Sequence, residues 1–163
     1  MSLSIAARRL GYRLAFRLLQ VRWHLLHPTQ EGVKCMITDG GKLLLVRHTY
    51  GSRAWDLPGG ASRPYEPPLQ TARREMEEEL GLGAADWRPC GELRGRLYGR
   101  HDRIHVIAAE VHDPVLRVDP VEIEAAAWFD RDRLPLWTGP LLDPIVTGAA
   151  PYAFGDGAPA AGG

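Results

Sequence analysis

The first 27 residues carry a hydrophobic pattern with the period of an α-helix. Residues 3–27 contain no proline and one glycine, and the pattern ends at His27-Pro28 because proline disfavours helical geometry in the residue before it. Most polar side chains share one narrow arc of this predicted helix, with an apolar flank on each side, and Arg8 and Arg22 interrupt the pattern. The arc holds Arg9, Arg13, Arg17, Gln20, His24 and His27; the flanks hold Leu10, Leu14, Leu18, Val21 and Leu25, and Tyr12, Phe16, Leu19, Trp23 and Leu26. Both apolar flanks of such a helix need to be buried against other surfaces.

After this helix the pattern changes to short β-rich runs. Runs at 33–37 and 42–48 flank Asp39-Gly40-Gly41 and predict a hairpin. Residues 69–80 have a strongly helical composition, and Gly81 ends that helix. Further strands are expected at 55–57, 92–98, 104–111 and 125–129, followed by a short helical turn at 130–134. This mixture predicts an α+β fold, arranged as an α/β/α sandwich.

The chain has the length of one domain with an extension at each end. We expect a helical extension at 1–30, a globular domain at 31–134 and a C-terminal extension at 135–163. Proline, glycine and alanine become frequent in the last segment, and residues 155–163 are expected to be disordered.

Charge and cysteine content narrow the function classes. The 20 basic and 20 acidic residues cancel, so the whole chain has no general electrostatic footprint for nucleic acid. Residues 1–30 nevertheless hold five arginines and no acid, which leaves the rest with 20 − 5 = 15 basic against 20 acidic residues. Two cysteines are too few for a disulfide framework or a zinc site. The chain shows no apolar run of membrane-spanning length and no signal peptide, so the predicted location is the cytoplasm.

The candidate chemistry lies on the second predicted helix. Glu75, Glu78 and Glu79 are spaced i, i+3, i+4, which places their carboxylates within an arc of about 100 degrees. Clustered carboxylates are the hard oxygen ligands that Mg²⁺ or Mn²⁺ prefers. The alternative is a solvated helix face whose acids pair with neighbouring arginines.

The surrounding residues favour the metal-site interpretation. Gly60, Glu66, Arg74-Glu75, apolar Met76, Glu78-Glu79, Gly81 and apolar Leu82 occur at the spacing of the Nudix box, so the segment resembles that family over roughly residues 31–134. The resemblance implies an α/β/α sandwich that binds Mg²⁺ through Glu75, Glu78 and Glu79 and hydrolyses a diphosphate linkage of a nucleoside diphosphate derivative. Gly60 allows a backbone carbonyl to approach a metal closely, and Arg74 can hold a carboxylate in a fixed orientation.

Other roles stay open at this level. Glu75 is the first candidate for the general base, and Glu122 or Glu124, in the segment before the last strand, is the second. Arg47 and Arg53 are candidates for phosphate binding. Tyr98 stands 98 − 82 = 16 residues after Leu82, the spacing of a tyrosine in family members that hydrolyse diadenosine polyphosphates.

The expected partner is a small-molecule nucleotide substrate. The alternative to an enzyme is a non-catalytic nucleotide-binding module that regulates a partner. The N-terminal helix can pack on its own domain, form a homodimer contact or lie on an anionic membrane surface.

Overall fold

The computed structural model describes residues 4–26, 29–83, 85–97, 100–147 and 153–154. His27, Tyr98 and the chain end from 155 onwards lie outside these residues. The described part contains three helices and seven strands, listed here in chain order: α1 Ile5–Leu26, β1 Thr29–Asp39, β2 Lys42–His48, β3 Trp55–Asp56, α2 Pro68–Leu80, β4 Arg88–Leu97, β5 Arg100–Glu110, β6 Ile123–Asp130, α3 Leu142–Val146 and β7 Ala153–Phe154.

The seven strands form one mixed sheet in the order β3-β2-β1-β5-β4-β7, with β6 paired to β2. β1 and β2 pair only beside their turn, at Thr38–Leu43 and Asp39–Lys42, and then separate. The segment after β3 occupies the space beside β1: the Cys35 N–H donates to the Pro58 carbonyl (2.8 Å), and the Val33 N–H donates to the Gly60 carbonyl (2.9 Å). Residues 58–60, which include Gly60 of the sequence motif, are therefore fixed to β1 in the middle of the sheet.

Helix α2 covers one face of this sheet. Its N-terminal end has proline in the first turn, and its C-terminal end is Gly81 in the left-handed conformation (φ 71°), as expected from the sequence. Ala72, Met76 and Leu80 are fully buried against β1, β2 and β5. Because this apolar seam faces the sheet, the glutamates of the neighbouring arc lie at its edge.

The opposite face of the sheet is covered from the C-terminal side of the chain. Leu141, Leu142 and Ile145 pack with residues of β2, β4 and β5 in a second buried cluster. The sheet therefore has helices on both faces, which confirms the predicted α+β sandwich. The predicted globular domain ended at residue 134, whereas Leu142 and Ile145 of α3 are also part of the core. The predicted helical turn at 130–134 is a single turn in which the Arg133 N–H donates to the Asp130 carbonyl (3.0 Å).

Helix α1 packs on its own domain, but with only part of its circumference. Arg9 Nε donates to the Pro120 carbonyl and Arg13 Nε to the Thr49 carbonyl, each at 2.8 Å. The apolar flank on the far side is exposed, at 57% for Leu10, 54% for Leu14, 72% for Leu18, 59% for Val21 and 75% for Leu25. The expected cover on both flanks is therefore not found: on the other flank Phe16 is half-buried, whereas Tyr12, Leu19 and Leu26 are exposed. No helix in the described segments has the length and hydropathy to cross a membrane. Homodimer and membrane-surface contacts stay predictions.

Candidate functional site

The site begins at two glycines that leave no room for a side chain. A Cβ on Gly59, whose φ is 147°, would lie 2.2 Å from the Val33 carbonyl oxygen. A Cβ on Gly60 would lie 2.4 Å from Cδ of Glu75. The backbone at these positions therefore runs directly between β1 and the carboxylate of Glu75, where only glycine fits.

Arg74 is the centre of a hydrogen-bonded network beside these glycines. Its Nε and Nη2 donate to the two carboxylate oxygens of Glu66 at 2.8 and 2.7 Å, and its Nη1 donates to Glu75 Oε1 at 2.5 Å and to Glu78 Oε2 at 3.4 Å. Nη2 also donates to the Ala61 carbonyl at 3.1 Å. The forked pair is therefore with Glu66, which fixes Arg74, and Arg74 in turn orients Glu75.

Three glutamates of α2 and two acids from the segment before β6 line one pocket of about 270 Å³, which we name the acidic pocket. Glu122 is held there by the Tyr12 hydroxyl, which donates to its Oε1 at 2.8 Å. Tyr50, Gly59, Gly60 and Ala61 complete the walls. The full lining is Tyr50, Gly59, Gly60, Ala61, Glu75, Glu78, Glu79, Asp119 and Glu122, five acids without a basic side chain.

Burial makes two of these carboxylates costly to ionise. Glu79 is 3% exposed, and its burial, followed by the charge of Glu75, raises its pKa well above the ordinary value. Burial likewise raises the pKa of Glu75, against the opposing hydrogen bond from Arg74. Glu79 Oε2 is buried and has no hydrogen-bond partner. A buried, unpaired carboxylate oxygen costs free energy unless a cation or proton satisfies it.

A divalent cation fits the donor chemistry of the acidic pocket. The unpaired Glu79 oxygen lies beside further carboxylates, and oxygen donors of this kind suit Mg²⁺. Within the described segments, no three Asp, Glu, His or Cys side chains are already arranged around one point as a ligand set. The Gly60 carbonyl, the predicted fourth ligand, accepts the Val33 N–H.

Comparison with known proteins places this site in a family. The model of the NUDIX domain matches residues 28–148, which is more than half of the chain. The chain belongs to the Nudix family.

Individual relatives show the same likeness. The chain is 37% identical to an RNA pyrophosphohydrolase of Rhodospirillum rubrum over 72% of this chain and 82% of the relative. It is 48% identical to an ADP-ribose pyrophosphatase of Mycobacterium tuberculosis, but over 34% of this chain and 28% of the relative's length. A MutT Nudix hydrolase of Burkholderia pseudomallei superimposes with a TM-score of 0.68 at 27% identity, over 73% of this chain and 96% of that one.

The structure brings together most of the residues predicted around the Nudix box. Gly60, Glu75, Glu78, Glu79 and Glu122 all line the acidic pocket, and Arg74 borders it through its bonds to Glu75 and Glu78.

The predicted phosphate-binding arginines lie elsewhere. Arg47 Nε is 3.0 Å from Glu124 Oε2, and its guanidinium stands 5.3 Å from the ring centroid of Trp55. Arg53, in a left-handed conformation (φ 56°), also pairs with Glu124 and faces a neighbouring pocket. Glu124 is therefore a partner for two arginines and lies outside the acidic pocket. Substrate binding by Arg47, Arg53 and Tyr98 stays a prediction.

Three contributors to the site were not identified in the sequence as site residues: Tyr12, Tyr50 and Asp119. Tyr50 follows β2 in a loop of small residues and lines the acidic pocket. Tyr12 lies 110 residues from its partner Glu122, so no local pattern connects them. One sequence feature could have pointed to Tyr50. It is a large aromatic residue beside Gly51 and Ser52, whose small side chains offer its ring little to pack against.

Proposed function

We propose that this Nudix protein is a Mg²⁺-dependent hydrolase that cleaves the diphosphate linkage of a nucleoside diphosphate derivative by attack of water on phosphorus. One observation carries the proposal: the unpaired, buried oxygen of Glu79 lies in a pocket of five acids built on a complete Nudix box. Such an arrangement favours a bound divalent cation over a merely solvated helix face.

The metal would be held by Glu75, Glu78 and Glu79, with the Gly60 carbonyl beside them, and when bound it neutralises phosphate oxygens and lowers the pKa of water. The protein's own groups position this chemistry. Arg74, fixed by Glu66, keeps the Glu75 carboxylate in one orientation. Because phosphoryl transfer depends chiefly on positioning and charge stabilisation, we expect this rigidity to matter for the rate.

Two carboxylates are candidates for accepting the proton of the attacking water. Glu75 is oriented by Arg74, whereas Glu122 enters the pocket from the segment before β6 and is hydrogen-bonded by Tyr12. We propose Glu75 as base or ligand and Glu122 as the alternative base. The variants Glu75→Gln and Glu122→Gln distinguish the two candidates. The variant at the residue that acts as the base loses turnover while its affinity for Mg²⁺ stays nearly unchanged.

The substrate class follows from the relatives' names only at the coarse level. The names of the RNA pyrophosphohydrolase and the ADP-ribose pyrophosphatase both indicate a substrate in which a diphosphate linkage is attached to a nucleoside. We propose a small-molecule nucleotide of this kind, such as a dinucleoside polyphosphate or a nucleotide sugar.

A substrate panel with Mg²⁺ tests the proposal. Purified protein is incubated with dinucleoside polyphosphates, nucleotide sugars, ADP-ribose and nucleoside triphosphates, and phosphate-containing products are measured. Glu78→Gln should lower kcat by about two or more orders of magnitude without changing the unfolding midpoint. Glu77→Gln is the matched control, because Glu77 lies on the same helix but faces Arg117 instead of the acidic pocket.

The panel also addresses the alternative of a non-catalytic regulatory module. Nucleotide binding without turnover of any member of the panel would support that module and reject the hydrolase. Wild-type turnover by Glu78→Gln would reject the assigned metal site.

A further inference from the structure

A second pocket of about 470 Å³ lies between helix α1 and the loop that follows β2. Its helical wall is one face of α1, with residues spaced i, i+3, i+4 and i+7, and its other wall is five consecutive loop residues. Three of the lining residues are arginines and none is acidic. We name it the arginine pocket, and its lining is Arg13, Phe16, Arg17, Gln20, Thr49, Tyr50, Gly51, Ser52 and Arg53.

The arginine pocket and the acidic pocket share Tyr50 as a wall. The ring of Tyr50 is fixed between Phe16, at 5.2 Å between centroids, and His48, at 5.1 Å. The loop itself is tied to the acidic side, because the Thr49 N–H donates to the Glu122 carbonyl (2.8 Å) and the Thr49 hydroxyl donates to the Val121 carbonyl (2.7 Å). The two pockets are therefore adjacent and held together by one loop.

The positive charge of the arginine pocket is not balanced by its surroundings. Arg53 shares Glu124 with Arg47, so that two guanidinium groups face one carboxylate. The side chain of Arg17 is exposed and makes no hydrogen bond or ion pair with the residues described in the structure. Arg13 donates its Nε to the Thr49 carbonyl, a neutral acceptor. Three cations at one pocket with so little counter-charge favour an anionic ligand.

We infer that the arginine pocket binds phosphate groups beyond the diphosphate that is cleaved, so that the protein selects substrates with a chain of three or more phosphates. The inference rests on the proposed function, because the acidic pocket has to take the scissile diphosphate. Guanidinium groups match phosphate oxygens in charge and in forked geometry. A diphosphate joined to a neutral sugar offers nothing for three arginines to bind, whereas a longer phosphate chain does.

The experiment compares Arg17→Gln with Arg22→Gln on two substrates. Arg17 contributes charge without holding the helix in place, and Arg22 is an exposed arginine of the same helix about 140 degrees away. The substrates are a dinucleoside tetraphosphate and ADP-ribose. Arg17→Gln should raise KM for the tetraphosphate about tenfold, with kcat unchanged, and leave KM for ADP-ribose unchanged. Equal effects of the two variants, or equal effects on the two substrates, would overturn the inference.

A binding measurement separates this inference from the proposed function. Inorganic tripolyphosphate is titrated calorimetrically into the Glu78→Gln protein without divalent metal, with and without Arg17→Gln. We expect Arg17→Gln to weaken binding about tenfold. If the wild type hydrolyses nothing while this loss is seen, the proposed function fails and the phosphate pocket stands. If hydrolysis proceeds and Arg17→Gln binds tripolyphosphate as tightly as its parent, the pocket assignment fails alone.

Discussion

The Tyr12 hydroxyl donates a hydrogen bond of 2.8 Å to Glu122 Oε1. It joins the first helix of the chain to a wall of the acidic pocket, across 110 residues of sequence. The N-terminal helix, which lies outside the minimal domain expected from the sequence, is thus in contact with the candidate active site.

Removal of the Tyr12 hydroxyl should lower activity. In Tyr12→Phe the ring can still pack on Tyr50, whose centroid is 6.2 Å away, but the Glu122 carboxylate loses its donor. One hydrogen bond to a charged group contributes on the order of 1.5–3 kcal/mol in favourable cases, and the exposed position of this bond places it at the lower end. We expect kcat/KM to fall about tenfold. Tyr65→Phe, at a fully exposed tyrosine, is the control, and identical kinetics of the two variants would contradict the prediction.

A methyl group at Gly60 should disable the site. The Cβ of Gly60→Ala would lie 2.4 Å from Glu75 Cδ, so the carboxylate has to move and lose its orientation by Arg74. We expect turnover to fall by at least about two orders of magnitude and the free energy of unfolding to fall by about 1–3 kcal/mol.

Gly11→Ala is the matched control for Gly60→Ala. Gly11 lies within α1, and a Cβ there would meet nothing within 4 Å. It should raise the free energy of unfolding by up to about 1 kcal/mol, because alanine is the better helix former. Thermal and urea unfolding measure both variants, and a fully active Gly60→Ala protein would show that the close approach is not needed.

Loss of the Glu66 carboxylate should destabilise the protein in a pH-dependent way. The hydrogen bonds from Arg74 hold the pKa of Glu66 at about 2, against an ordinary value of 4.5. Because the folded pKa is lowered, the stabilisation is fully present above about pH 5 and is lost as the pH falls toward 2. Glu66→Gln should therefore lower the free energy of unfolding by about 2 kcal/mol at pH 7. The difference in the free energy of unfolding between Glu66→Gln and the wild type should shrink as the pH falls from 5 to 2.

Urea unfolding at several pH values checks this expectation. Glu77→Gln is again the control, because Glu77 lies 3.5 Å from Arg117 and accepts the Gly83 N–H at 3.1 Å, an acceptor role that the glutamine oxygen keeps. A gap that stays constant between pH 5 and pH 2 would show that the ionised Glu66–Arg74 pair is not the source of the stabilisation.

Truncation of Met76 should test the docking of the Nudix helix on the sheet. Met76 is fully buried, and Met76→Ala should lower the free energy of unfolding by about 2–5 kcal/mol. Activity should fall only as far as the fold loosens, because Met76 faces the core and not the acidic pocket. Leu136→Ala, at a fully exposed leucine, should be neutral. Equal unfolding midpoints for the two variants would contradict the packing of α2.

Some elements extend beyond what their own residues predict because a neighbouring strand supplies their hydrogen bonds. β1 begins at Thr29, four residues before the apolar run, since Thr29–Gly32 pair with His101–Ile104 of β5. Helix α3 was absent from the sequence prediction because its five residues are too few for a helical period and include Pro144. It forms where Leu142 and Ile145 can be buried against the sheet.

The sequence by itself determined the Nudix helix and the residues of its predicted metal site, because the spacing of Glu75, Glu78 and Glu79, the apolar seam and the glycine stop are local properties of one helix. The tertiary structure alone decided that Glu79 is buried without a partner for Oε2, that Glu122 comes to the same pocket and that α1 adds arginines beside it. These relationships depend on contacts between residues far apart in the chain, which no short pattern encodes. The packing of distant segments decides which charged groups are buried and which groups of opposite charge lie beside them.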